Sequence, residues 1–240
     1  MKTLLILGVF HTIGDFYLQF AGISKNKAEK MGVLFLHAAL YAVSMGVVFL
    51  CTPFFKALIS WTIISLTHLI IDRIKIAYDK KHGKKKLYSF VLDQILHLLI
   101  IFGCYMLFMR GNPGFVQRNI YLLPWFSTAL IYVTILSIIV KPTAVLISKV
   151  FESRPQKEAD NENEASDPGA GTLIGILERV IVVALVLLNS PSAVGFVLTA
   201  KSVARFKQLE NNQGFAERYL IGTLLSVGIA LAAVLLIPML

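Results

Sequence analysis

The chain has 240 residues, is 56% hydrophobic and 15% charged, and carries a net charge of +9. Its mean hydropathy is +0.72, which excludes an ordinary soluble domain and a disordered chain. The basic residues lie beside apolar stretches, so the positive balance reads as membrane topology and excludes a nucleic-acid partner.

The expected fold is all-α and polytopic, with about eight transmembrane helices at 3–22, 31–51, 55–77, 88–109, 121–140, 173–189, 192–207 and 217–239. Each apolar run approaches the ~20 residues that cross a bilayer as a helix. The first run follows Lys2 like a signal peptide. It lacks a small-x-small cleavage site, however, and carries His11 and Asp15, so it reads as a true helix. Pro142 should end or kink the fifth span, with 141–151 continuing as an interfacial helix. Cys51 and Cys104 have no C-x-x-C spacing and so form no metal or redox motif.

Lysine and arginine cluster after spans one, three, five and seven: Lys25, Lys27 and Lys30; Lys80, Lys81, Lys84, Lys85 and Lys86; Lys141 and Lys149; Lys201, Arg205 and Lys207. Positive-inside reasoning puts those loops in the cytoplasm and both termini outside. Residues 152–171 hold six acidic residues and little that is apolar. They read as a disordered cytoplasmic linker, with room for a cytoplasmic partner, between an N-terminal membrane unit (1–151) and a C-terminal three-helix unit (172–240).

The chemistry lies in ionisable residues inside the spans, where each is costly to bury. His11-x3-Asp15, His68-x3-Asp72 and Asp93-x3-His97 each put two groups on one helix face, and His37 sits in span two. Counted from the cytoplasmic ends, all seven share the cytoplasmic leaflet on four consecutive helices. The order His-x3-Asp then His recurs in spans one–two and three–four, which suggests a four-helix core built from two repeated hairpins. Imidazole and carboxylate are the ligands of Zn²⁺, with Mn²⁺ or Fe²⁺ as alternatives, and the set suffices for one or two ions. A polar structural network, a proton relay and haem are the competing readings. Gln19, Gln94, Glu178 and Arg179 are read as structural polar groups. Lys75, Lys201 and Arg205 are read as binding an anionic substrate near the metal, against the plainer reading of interfacial anchoring.

HxxxDFxLQ (11–19), HxxxDxxK (68–75), DQxxH (93–97), GILER (175–179), TAKS (199–202) and LIGTLLS (220–226) appear in order. In these motifs the chain resembles the bacterial inner-membrane family called domain of unknown function 3307. The resemblance implies a multi-pass protein of the bacterial cytoplasmic membrane and no established activity.

Three functions compete. One is a metal-dependent membrane hydrolase acting on an anionic or lipid-linked substrate, with membrane lipid around it. A second is a metal-ion or proton transporter, disfavoured because LLILGVF, VVFLCTP, FFKALIS and CYMLF leave the outer leaflet almost without polar groups. The third is a regulatory membrane protein with a structural metal site.

Overall fold

Helix α5 (Phe54–His82) is built inside out. Ser60, Ile64, His68, Asp72 and Ile76 are buried at four-residue intervals. Ile59, Ile63, Leu66, Ile70 and Ile74 face outward. In water this would expose a large apolar stripe; in a bilayer it puts polar groups in protein and apolar ones in lipid. The computed structural model describes residues 1–82, 86–153 and 168–235, without the side chains of 86 and 168–170. The proposed linker therefore lies almost wholly outside the described residues, as do Lys84 and Lys85.

Every regular element among the described residues is helical. Five stretches are long and apolar enough to cross a membrane: Met31–Cys51, Phe54–His82, Leu87–Met109, Phe126–Glu152 and Gln213–Leu235. The expectation of eight spans is thus met by five among the described residues. Helix α1 (Lys2–Thr12) and the wider turn that extends it (Ile13–Tyr17) together run for 16 residues. At 1.5 Å per residue they reach about 24 Å, short of a ~30 Å hydrocarbon core. The apolar run to residue 22 is divided, because α2 (Ala21–Asn26) starts separately after an extended Phe20.

The chain divides into two compact units, one of residues Met1–Ser137 and one from Ile138 onward. In the first, α1 packs on α3 (Met31–Met45), α3 on α5, and α5 on α6 (Lys86–Cys104), which returns to α1. A short α4 (Val48–Cys51) also packs on α5. Toward the start of α1 this ring is filled by Ile6, Leu7, Met45, Val48, Cys51, Ala57, Ile64, Ile101 and Cys104, all buried. Both cysteines are free thiols there.

The second unit contains α8 (Lys141–Glu152), α9 (Pro168–Leu187), α10 (Ser192–Ala204), α11 (Phe206–Asn211) and α12 (Gln213–Leu235). The break expected at Pro142 is present: α7 (Phe126–Ile139) ends, Val140 leaves helical geometry, and α8 begins. Proline lacks the N–H that would serve the Ile138 carbonyl. The Thr143 hydroxyl donates to that carbonyl instead, at 2.9 Å.

Candidate metal centre

All seven ionisable residues singled out in the first unit are buried, none more than 6% exposed. Their convergence depends on a local change in α1. Between Ile13 and Tyr17 the helix widens, and the Leu18 amide reaches back to the Ile13 carbonyl at 2.9 Å. Such one-turn π-bulges reorient side chains, often at functional sites. Here the bulge carries Asp15. Ser44 on α3 donates to the Phe10 carbonyl at 2.7 Å, just upstream.

Asp15, His37, His68 and Asp72 form the tightest group. His37 Nε2 lies 3.3 Å from His68 Nε2, 3.3 Å from Asp15 Oδ1 and 3.4 Å from Asp72 Oδ2. Lys27 donates to Asp72 Oδ2 at 3.0 Å and to Gln19 Oε1 at 3.4 Å. The Nδ1 atoms of His37 and His68 have no hydrogen-bond partner among the described residues.

Gln94 organises the other side. Its amide nitrogen donates to Asp15 Oδ2 at 2.8 Å and Asp93 Oδ2 at 3.1 Å, and its oxygen lies 3.3 Å from His11 Nε2. This orientation is forced, since the reverse would turn an oxygen toward two carboxylates. An accepting Gln94 oxygen requires His11 Nε2 to carry the proton. His11 Nδ1 is then the acceptor for the Tyr41 hydroxyl, 3.0 Å away. Both His11 nitrogens are satisfied, whereas neither nitrogen of His97 has a partner among the described residues. Lys75 donates to Asp93 Oδ2 at 3.4 Å.

These groups could hold a metal ion. The donor atoms of Asp15, His37 and His68 lie within 4.8 Å of one another, as do those of His11, Asp15 and His97. A family model described as Protein of unknown function (DUF3307) matches residues 3–123. The chain belongs to this family. The match takes in the whole cluster from His11 to His97, so the donor set lies inside the DUF3307 segment. No curated protein and no solved structure matches the chain.

Glu178, Arg179, Lys201 and Arg205 belong to the second unit and are engaged there. Lys201 donates to Glu178 at 2.6 Å and Thr223 at 3.0 Å, and lies over the Tyr219 ring. Arg205 lies over Phe215. Arg179, 2% exposed, donates to the carbonyls of Ile139 and Val140 and to Ser226 Oγ.

Two cluster residues escaped the sequence reading. Tyr41 is four residues after His37 and so on its face, a usable signal had hydroxyls been counted with ionisable groups. Lys27 was read only as a topological charge. It reaches Asp72 from the connection between α2 and α3, which no periodicity reveals.

Proposed function

We propose that this DUF3307 protein binds a divalent transition ion through His37, His68, Asp15 and Asp72, and uses it as a hydrolase on an anionic, lipid-linked substrate. The spacing around His37 carries the reading. Donors on a tetrahedral zinc at 2.0–2.1 Å stand about 3.3–3.4 Å apart. His37 Nε2 is 3.3 Å from both His68 Nε2 and Asp15 Oδ1, and the donors of these three residues lie within 4.8 Å of one another. Asp72 Oδ2 joins from 3.4 Å on the His37 side. Without an ion, one Nε2 proton on His37 would have to serve three acceptors. Zinc suits the mixed nitrogen and oxygen donors best, with Mn²⁺ or Fe²⁺ as alternatives. A bound ion would supply a water acidified toward neutral pH.

Lys27 and Lys75, 13% and 19% exposed, supply cations at the rim of the cluster. Lysines there favour an anionic group such as a phosphate. The apolar packing of Ile6, Leu7, Met45, Val48, Ile64 and Ile101 on the other side favours a one-sided site over a transport path. This reading puts the site in the cytoplasmic leaflet of a bacterial inner membrane.

Metal analysis of purified protein tests this directly. Wild type should retain zinc through purification, and His68→Ala or Asp72→Ala should lose it, together with release of phosphate from anionic lipid in reconstituted vesicles. Lys75→Ala should keep the metal and weaken only that release. Metal without turnover would favour a regulatory protein with a structural ion. Flux of metal or protons that depends on Asp15 would favour a transporter.

A further inference from the structure

We propose a second ion position beside the first, formed by His97, Asp93 and Asp15, so that Asp15 bridges a two-metal centre. The inference rests on the metal reading above and extends it to the donors that a single ion leaves unused.

His97 is the starting point. A neutral imidazole always has one N–H to donate and one nitrogen to accept, and burying both without partners is costly. His97 is 2% exposed, and neither nitrogen has a hydrogen-bond partner among the described residues. Asp93, one turn earlier on the same helix, is 3% exposed and its Oδ1 is likewise unpartnered among them. Three buried polar atoms that one ion at His37 does not touch therefore lie together.

Their placement is held from behind. Asp93 Oδ2 accepts from Gln94 at 3.1 Å and from Lys75 at 3.4 Å, which leaves Oδ1 toward His97. His97 Nδ1 and Asp93 Oδ1 are 4.0 Å apart, too far for a hydrogen bond. Donors on one four-coordinate ion at 2.0–2.1 Å stand about 3.3–3.4 Å apart, so the two atoms would close by roughly half an ångström on an ion held between them.

Asp15 connects the two positions. It belongs to the donor group with His37 and His68 and to the group with His11 and His97. The His97 ring centroid lies 4.5 Å from that of His68 and 5.7 Å from that of His11. A shared carboxylate is the usual bridge between ions roughly 3.5–4 Å apart in hydrolytic two-metal sites. His11, with both nitrogens engaged, acts here as a positioning residue: it fixes Gln94, and Gln94 fixes Asp15 and Asp93.

The rival is a pocket in which ordered water satisfies His97 and Asp93, and stoichiometry separates the two. Full-length protein in detergent is stripped of metal, reloaded with Zn²⁺ or Mn²⁺, and its ions per chain are counted. Two are expected in wild type, one in His97→Ala and one in Asp93→Asn. The Mn²⁺-loaded wild type should give an exchange-coupled paramagnetic spectrum that becomes an isolated-ion spectrum in both variants. Asp93→Asn keeps the side chain's shape and carries the test should His97→Ala not fold. A wild type that binds one ion, lost in His37→Ala and kept in Asp93→Asn, overturns the second position and leaves the first standing. Two ions that persist in both His97→Ala and Asp93→Asn also overturn it. A wild type that binds none removes the metal reading itself.

Discussion

Tyr41 lies flat against His68, with ring centroids 3.6 Å apart and planes within 6°, while its hydroxyl donates to His11 Nδ1 at 3.0 Å. One side chain thus fixes the ring plane of one imidazole and the tautomer of another. Tyr41→Phe keeps the stacking and removes only the hydroxyl. It should leave His68 in place and metal content near wild type. Stability should fall by about 1–3 kcal/mol, the cost of an unsatisfied buried acceptor at His11. Tyr41→Leu frees the His68 ring as well and should lower metal affinity, by roughly 10–100-fold on the scale of lost ligand-orienting contacts. Equal metal affinity in the two variants would show that the stacking does not matter.

At Gly14 the widened turn that extends α1 packs tightly on α3. A Cβ there would stand 2.9 Å from Tyr41 Cδ2, 3.1 Å from Ser44 Cβ and 3.3 Å from Tyr41 Cα. The last is backbone and cannot swing aside. Gly14→Ala should therefore cost about 1–3 kcal/mol through overpacking and displace Asp15 beside it. Gly8, six residues earlier in α1, has nothing within 4 Å of its Cβ position. Gly8→Ala is the matched control and should unfold like wild type. Unfolding in mixed micelles with metal analysis reads both effects, and an unaltered Gly14→Ala would refute the close-approach argument.

The site was legible to the extent that its chemistry is local. His68 and Asp72 share a face because both sit on one unbroken helix, where a spacing of four is enough to say so. For His11 and Asp15 the same spacing crosses a widened turn, which adds backbone without leaving a mark in composition. The partners that set tautomers and hold carboxylates, Tyr41 and Lys27, depend on helix packing and chain reversal. Span counting suffered from a related blindness. Hydropathy continues from Leu18 to Ile23, whereas the backbone turns at Leu18 and again at Phe20.

Lys27 would compete with the proposed ion for Asp72. Its ammonium is 3.0 Å from Asp72 Oδ2, the atom that also faces His37. Lys27→Met should act in opposite directions on the two states. Metal-free protein loses the cation opposite a buried carboxylate and melts at lower temperature. The ion meets neither a rival nor a repelling charge, so zinc should bind on the order of ten times more tightly, or about 1.4 kcal/mol. The gap between metal-free and zinc-bound melting temperatures should widen, since binding stabilises in proportion to affinity. A gap that narrows would mean Lys27 supports the ion instead of competing with it.

Arg179 holds the helix break at Pro142. In an uninterrupted helix the carbonyls of Ile139 and Val140 would accept from the amides of Thr143 and Ala144. Val140 departs from helical geometry, and both carbonyls instead accept from the guanidinium. Its remaining nitrogen donates to Ser226 on α12 at 3.1 Å, so one side chain on α9 serves three acceptors on two other segments. Only a planar fork with several donors meets all three; a lysine ammonium on a flexible stem cannot. Arg179→Lys should therefore destabilise by at least about 1.5–3 kcal/mol, the worth of one hydrogen bond to a charged group. Arg179→Met should cost more, because both carbonyls are then left bare. Metal content should not change in either, since none of the three acceptors is a proposed ligand. Unfolding in mixed micelles beside metal analysis tests both halves. An Arg179→Lys protein as stable as wild type would show that the break needs a positive charge and not a fork.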